Sequence, residues 1–341
     1  MAKRVGNLDL FRCIAVLSVA YYHVGERFLY QFIPFNFLNI GRYGVELFFV
    51  LSGFLISNVY YKKDTQTKLF KFWLQRFLRT YPPYLLALLL TFTSVYVVRK
   101  QVFDWGYLVF FQNFYSKVPY FIASWSICVE EHFYLIFPLM MVIFGRVIKN
   151  RSVCLTFWIV CCLMPTFLRY KFGVYDASGT GFYRVGTIFR FDGIALGCLI
   201  SFLIHKYNFS VKSNPVISLT LFLTLIAISY WVSIKPSMMA YSVGYFLMIL
   251  NIGALLVSFY FSREFFISKT GFVKNTALMA YSLYLVHALA LNVTDVVINK
   301  MHLQNWSLQL SVGVITIFLA TVAFYYLIEK PSITFRNKML H

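Results

Sequence analysis

The stretch PVISLTLFLTLIAISYWVS, residues 215–233, contains nineteen residues and no charged side chain. A helix needs about 20 mostly apolar residues to cross a bilayer, because each residue advances it by only about 1.5 Å. The stretch therefore predicts a transmembrane helix. Comparable stretches recur along the whole chain, so this one segment indicates the fold class of the protein.

The composition also indicates a membrane protein. Of the 341 residues, 60% are hydrophobic, 20% are aromatic and 13% are charged, whereas a soluble domain is about half apolar and about a quarter charged. The net charge of +19 fits basic cytoplasmic loops better than a nucleic-acid partner. The six cysteines form no pair of CxxC motifs, so we expect no disulfide framework and no metal site. We also expect no permanently bound cofactor.

We predict an all-α, polytopic membrane protein with about ten transmembrane helices. A single domain is expected over residues 1–341, without an internal repeat or an appended extracytoplasmic domain. Residues 101–130, which include Pro119, are expected to form a short or re-entrant piece. Nineteen Lys and Arg residues fall on one side of the spans and ten on the other, which predicts cytoplasmic termini. The predicted spans are 8–29, 41–60, 81–99, 131–148, 152–168, 185–205, 215–233, 238–261, 276–298 and 307–328.

Arg12 and His23 stand out in the first span. Eleven residues turn a helix by only about 20° beyond three full turns, so both side chains lie on one face, about 16 Å apart along the axis. A structural interpretation is an arginine that snorkels to the membrane edge and a histidine buried in the core. A functional interpretation is that the two residues lie on one helix face and act at opposite ends of a reaction path.

Other polar residues within the spans are candidates because burying a charge in a membrane is costly. Glu130 and Tyr134 share a helix face, and His23, Glu46 and Glu130 are expected in the same outer layer. Each residue also has a structural interpretation, such as neutralisation by a neighbour or close packing. Gly193 and Gly197, four residues apart, indicate close helix packing. The candidates are Glu46, Ser52, Glu130, Tyr134, Arg190, Asp192, Tyr284 and His287.

Arg76 and Arg79 precede the third span and lie three residues apart. Both could hold anionic lipid head groups, as the neighbouring lysines are expected to do. Two guanidinium groups on one face also suit phosphate groups, which they bind with paired hydrogen bonds. With Arg12 at the same level, they predict a site for a polyphosphate ligand at the inner surface.

The ordered motifs of this chain resemble those of acyltransferase family 3, a family of integral-membrane O-acyltransferases. Arg12 and His23 match its Arg-x10-His signature, and the resemblance covers essentially the whole chain. His132 stands where the family often has glutamine. The other matching blocks are GVELFFVLSGFLIS (44–57), QRFLRTYPPY (75–84), SWSICVEEHFYL (124–135), YSLYLVH (281–287) and EKP (329–331).

The resemblance implies transfer of an acetyl or other acyl group from cytoplasmic acyl-CoA, typically acetyl-CoA, to a hydroxyl group of a glycan. His23 would be catalytic with Glu130, whereas Arg12, Arg76 and Arg79 would bind the donor. The expected acceptor is a surface or lipid-linked polysaccharide such as O-antigen, rather than peptidoglycan. The expected location is the bacterial inner membrane, in contact with lipid and with no nucleic-acid partner.

Two other functions stay open. A transporter or flippase of lipid-linked sugar would also bury charges, although such proteins commonly show repeats and broken helices. An acyltransferase for a small secreted molecule such as a macrolide would keep the chemistry and change the acceptor. The sequence does not determine the acceptor, the acyl chain length or the oligomeric state. It also does not determine whether the acyl group is transferred directly or through an acyl-enzyme.

Overall fold

The computed structural model describes residues 5–63, 69–146, 150–173, 181–234, 237 and 239–340. These parts of the chain are mostly helical and contain no β-strand. The α-helices are α1 (Gly6–Phe28), α2 (Phe35–Asn39), α3 (Gly44–Lys63), α4 (Leu69–Arg99), α5 (Ser124–Arg146), α6 (Arg151–Phe172), α7 (Phe182–Val185), α8 (Thr187–Arg190), α9 (Asp192–Lys206), α10 (Pro215–Ile234), α11 (Tyr245–Phe261), α12 (Gly271–Lys300), α13 (Trp306–Phe324) and α14 (Lys330–Leu340).

Nine helical stretches in the described ranges have the length and composition to cross a membrane. They correspond to nine of the ten predicted spans. The exception is the predicted span 185–205, where the structure has the short helices α7 and α8 followed by the fifteen-residue α9. The nine stretches are Gly6–Phe28, Phe35–Tyr61, Phe70–Arg99, Ser124–Ile143, Arg151–Phe172, Pro215–Ile234, Ala240–Phe261, Ala280–Lys300 and Trp306–Met339.

The surface of α10 shows why these helices need a lipid environment. Leu219 and Leu223 are 58% and 56% exposed, whereas Ser218 and Ser229 are buried. In water the opposite arrangement would be more stable, because removing apolar surface from water lowers the free energy. Lipid chains accept an apolar outer face, so the pattern fits a transmembrane helix. The protein is a multi-pass membrane protein.

Helices α3 and α9 approach each other closely through glycine. A Cβ atom on Gly53 would lie 2.0 Å from the carbonyl oxygen of Ile194, and one on Gly197 would lie 2.1 Å from that of Val50. Any larger residue would push the two backbones apart. The prediction of close packing at Gly193 and Gly197 is therefore confirmed, since a Cβ on Gly193 would also touch Phe49 at 3.1 Å.

Helix α1 lies among α3, α11, α12 and α13. Asn7 anchors its first turn: the side-chain amide donates to the carbonyl oxygens of Phe259 and Arg263 at 3.0 and 3.1 Å, and its oxygen accepts from the backbone of Phe265 at 2.9 Å. The helix continues without interruption to Phe28. Arg12 and His23 therefore stand on one straight element, about 16 Å apart along its axis.

The segment between α4 and α5 contains two short 3₁₀ helices, Trp105–Val109 and Gln112–Phe114. Helix α5 begins at Ser124, seven residues before the predicted start of the fourth span. The predicted start at residue 131 was therefore seven residues too late. Both carboxylates lie inside the helix, and Glu130 is accommodated there by hydroxyl groups on α3 and on α5 itself.

Candidate active site

His23 and His287 face each other between α1 and α12. Their ring centroids are 4.8 Å apart, with 40° between the ring planes. A second pair further along, Arg27 with Asp295, shows that the two helices run side by side in the same direction. The end of the bundle that contains these residues is called the His23 end below.

The hydrogen bonds of His287 determine its tautomer. Its Nδ1 lies 2.8 Å from the carbonyl oxygen of Tyr284, and a carbonyl oxygen can only accept, so Nδ1 carries the proton. The other ring nitrogen, Nε2, is then an acceptor. It is buried and has no hydrogen-bond partner within the described ranges. His287 therefore presents an unused lone pair in the core, beside the ring of His23.

Tyr284 connects this pair to the first turn of α5. Its hydroxyl lies 2.5 Å from the hydroxyl of Ser126 and 2.9 Å from the carbonyl oxygen of Ala123. Both Ser126 and Tyr284 are buried. Residues of α5 thus reach the level of the histidine pair.

Glu130 lies one turn further along α5 than Ser126. The Ser52 hydroxyl donates to its Oε1 at 2.7 Å, and the Tyr134 hydroxyl donates to its Oε2 at 3.3 Å. Ser126, Glu130 and Tyr134 follow at intervals of four residues, so they share one face of α5 and span about 12 Å. Neither hydrogen bond of Glu130 involves His23.

The guanidinium of Arg76 is packed at the far end of this face. It lies 5.4 Å from the ring centroid of Tyr134 and 5.8 Å from that of Phe72. The indole of Trp73 donates to the carbonyl oxygen of Tyr134 at 3.1 Å, which holds α4 against α5. This region is called the Arg76 end.

Helix α14 closes the Arg76 end from the other side by packing against α4. Glu329 of the EKP block is buried and accepts hydrogen bonds from the backbone and hydroxyl of Ser282 at 3.1 and 2.5 Å. It interacts electrostatically with Arg79, as does Arg336 of α14. The structure thus groups Arg76, Arg79 and Arg336 within one cationic region.

Arg12 lies on α1, partly exposed, and pairs with Asp9 at 3.1 Å. This pairing within one helix did not enter the sequence prediction. Asp9 restrains the arginine and offsets part of its charge. Arg12 therefore differs from Arg76, whose guanidinium is packed on aromatic rings.

Glu46, Arg190 and Asp192 belong to a separate buried cluster. Arg190 pairs with Glu46, which also accepts from the Tyr245 hydroxyl at 2.5 Å. Asp192 pairs with Arg169 of α6 at 2.6 Å. Charges of opposite sign thus join α3 to α8 and α6 to α9, as one of the structural interpretations predicted.

His132 projects from another face of α5. Its Nδ1 lies 2.7 Å from the hydroxyl of Thr187, which links α5 to α8. Within the described residues, no three His, Cys, Asp or Glu side chains are grouped so as to hold a metal ion. His132 therefore has a structural contact of its own, away from the histidine pair.

Comparisons with known proteins identify the family of this chain. The family model described as an acyltransferase domain, that of acyltransferase family 3, matches residues 5–326. The chain belongs to acyltransferase family 3. That match includes His23, His287, Glu130, Arg76 and Arg79.

Proteins similar to this member of acyltransferase family 3 occur in Staphylococcus aureus. One, named "Putative O-acetyltransferase" in strain COL, is 26% identical over 62% of this chain and 37% of its own length. O-acetyltransferase OatA of strain NCTC 8325 / PS 47 is 28% identical over 58% of this chain and 34% of its own length. The matches thus cover about a third of these relatives. No solved structure matches the chain.

Some contacts of this acyltransferase domain escaped the sequence analysis. Ser126 could have been found, because it lies four residues before Glu130 on the same helix face. Arg169 was counted in a loop, since the predicted span ended at residue 168, yet α6 continues to Phe172 and buries it. Tyr245 carried no signal, because tyrosine is common throughout this chain.

Proposed function

We propose that this chain is an O-acyltransferase of the bacterial inner membrane, which transfers an acetyl group from acetyl-CoA to a hydroxyl group of a surface or lipid-linked glycan. The observation that carries the proposal is the polar face that leads from the His23 end to the Arg76 end. Family membership and the O-acetyltransferase names of the relatives support it.

The His23 end suits activation of a hydroxyl group. A thioester is already reactive, so the protein must mainly remove the proton of the acceptor hydroxyl, a task for which histidine is well suited at neutral pH. The hydroxyl oxygen attacks the thioester carbonyl carbon, the C–O bond forms, and the C–S bond breaks. His23 takes the hydroxyl proton and delivers it to the departing CoA sulfur. No acyl-enzyme is needed if both substrates bind together.

His287, rather than Glu130, is the residue that orients His23. Its Nδ1 proton is committed to a backbone carbonyl, so its Nε2 can only accept a hydrogen bond. An acceptor beside His23 stabilises the protonated imidazole that forms during transfer, as the buried carboxylate does in a catalytic triad. Glu130, held by Ser52 and Tyr134, lies further along the donor path.

The Arg76 end suits the phosphate groups of the donor. Arg76 and Arg79 carry forked guanidinium groups, which bind phosphate with paired hydrogen bonds. The face of α5 between Ser126 and Tyr134 spans about 12 Å, a length that the pantetheine arm of CoA can cover. The donor would therefore be anchored at one end and react at the other, with Arg12 contributing charge beside α1.

The test is transfer of radiolabelled acetyl from acetyl-CoA to membrane glycolipid by the purified protein. His23→Ala should abolish transfer, since loss of a general base alone costs about 10² to 10⁴ in rate. The matched control is His302→Asn, because His302 is exposed in a loop and asparagine tolerates its left-handed φ of 48°. Transfer by His23→Ala at the wild-type rate would contradict the proposal, and a wild type that moves glycolipid without acetylating it would favour the transporter.

A further inference from the structure

Two half-buried arginines lie near the histidine pair and outside the polar face described above. Arg42 is in the 3₁₀ turn Ile40–Tyr43 that leads into α3, and its guanidinium lies 5.2 Å from the ring centroid of Tyr22. Arg184 is in α7, with its guanidinium 6.0 Å from the ring centroid of Tyr241. The two arginines are close enough to interact electrostatically.

These arginines differ from the other arginines of the region in their partners. Arg27, Arg169 and Arg190 each pair with a carboxylate. Within the described residues, Arg42 makes one hydrogen bond, a long one of 3.4 Å to the amide of Asn39, and neither it nor Arg184 has a carboxylate partner.

Such a pair has a physical consequence. Two like charges held near each other and partly removed from water raise the local positive potential and strengthen interaction with an anion. The aromatic rings beneath them position both guanidinium groups through cation–π contacts. Arginine also presents forked donors that match phosphate and carboxylate oxygens. The pair thus has the features of an oxyanion site.

The position of the pair relates it to the reaction. The ring of Tyr22, on which Arg42 rests, is 4.8 Å from the ring of His23. An anion held by Arg42 and Arg184 would therefore lie one aromatic ring away from the proposed base. Arg76 and Arg79 belong to the opposite end of the polar face, so this second cationic site is distinct from the proposed donor site.

We infer that Arg42 and Arg184 bind an oxyanion carried by the acceptor, a phosphate of its lipid carrier or a carboxylate of an acidic sugar, and so place its hydroxyl group at His23. This inference rests on the proposed function and names a class of acceptor for it. A neutral glycan on a neutral carrier would make no use of the two charges.

The experiment measures equilibrium binding to the purified full-length chain in detergent, which requires no turnover. The probes are inorganic pyrophosphate for the lipid carrier, glucuronate for an acidic sugar and glucose as a neutral control. Saturating CoA is present to fill the donor site. At least one anion should bind more tightly than glucose, and Arg42→Gln and Arg184→Gln should each weaken it about tenfold or more, the loss of one charge-assisted hydrogen bond.

The matched control is Arg27→Gln. Arg27 lies at the His23 end of the bundle, as Arg42 does, and its guanidinium is already paired with Asp295. Its affinity for the anion should equal that of the wild type. Gel filtration and thermal unfolding show whether each glutamine variant folds. If one does not, Arg42→Lys or Arg184→Lys replaces it. The lysine variants keep the charge but lose the forked donors of the guanidinium, so they should bind the anion more weakly than wild type.

Tighter binding of pyrophosphate identifies the phosphate as the source of the oxyanion, and tighter binding of glucuronate identifies the carboxylate. Equal binding of glucose and both anions, or unchanged anion affinity in the Arg42 and Arg184 variants, would overturn the inference. Acetyl transfer that persists in that case would leave the proposed function intact. Conversely, anion binding without any acetyl transfer would contradict the proposed function alone.

Discussion

The ring of His287 lies 4.8 Å from that of His23, and its Nδ1 proton is committed to the backbone of its own helix. The orientation of His287 is therefore fixed before any substrate binds. His23, by contrast, makes ring contacts with Tyr22 and His287 and is only partly buried. One histidine is thus held in place and the other is accessible for proton transfer.

His287→Ala should therefore reduce kcat by about 10- to 100-fold, the effect that partners orienting metal-bound histidines typically have on activity. The KM for acetyl-CoA should stay near the wild-type value, because the arginines of α4 are untouched. Steady-state acetyl transfer by the purified variant separates the two constants, with His302→Asn as control. An unchanged kcat, or a raised KM alone, would assign His287 a packing role.

Glu130→Gln should lower transfer without abolishing it. Glutamine keeps the shape of the side chain and leaves one oxygen to accept from Ser52 or Tyr134, while the charge is lost. The matched variant is Ser52→Ala, which removes one of the two hydrogen bonds and keeps the carboxylate. If the charge of Glu130 matters, Ser52→Ala should transfer acetyl faster than Glu130→Gln. Equal losses of rate in the two variants would show that only the hydrogen bond between Ser52 and Glu130 matters.

Arg79→Lys should raise the KM for acetyl-CoA about tenfold, because lysine keeps the charge and loses the fork that binds phosphate. Arg99→Lys is the control, since Arg99 lies at the other end of the same helix. Initial rates across a range of acetyl-CoA concentrations provide the measurement. Equal KM values in wild type, Arg76→Ala and Arg79→Lys would mean that these residues hold lipid head groups.

Glu46→Ala should destabilise the fold strongly, because it leaves the buried charge of Arg190 unpaired, a change that typically costs about 3–5 kcal/mol. The double variant Glu46→Leu with Arg190→Met removes both charges and should unfold at a higher temperature than Glu46→Ala. Arg27→Gln, at a partly exposed pair, should change stability by at most about 1 kcal/mol. Thermal unfolding in detergent ranks the variants; a double variant less stable than the single one would contradict this account.

The topology prediction can be tested by labelling engineered cysteines in intact cells. Thr65→Cys, at a position outside the described residues, should resist a membrane-impermeant reagent because the basic residues predict a cytoplasmic location. His302→Cys, on the opposite side by the same prediction, should react. Labelling of Thr65→Cys from outside would reverse the orientation and with it the donor side.

The sequence predicted the helices well because apolar length alone decides most of them. It placed Arg12 and His23 on one face, and α1 confirms this because nothing interrupts the helix between them. It could not identify Ser52 as a partner of Glu130, or Arg190 and Tyr245 as partners of Glu46, since these lie on helices distant in sequence and depend on how the bundle packs. Arg169 and Arg42 escaped notice for a similar reason: an arginine at the end of a helix or in a turn resembles an ordinary loop cation until its neighbours are known.

Helix α1 contains no proline or glycine between Arg12 and His23, and sharp bends in helices almost always require such residues or a local insertion. The distance between Arg12 and His23 is therefore constant. Helices α4 and α5 differ, since Pro82, Pro83 and Pro138 lie within them. If substrates enter by a rearrangement of the bundle, α1 would serve as the stationary axis, and the movement would be sought at the prolines of α4 and α5.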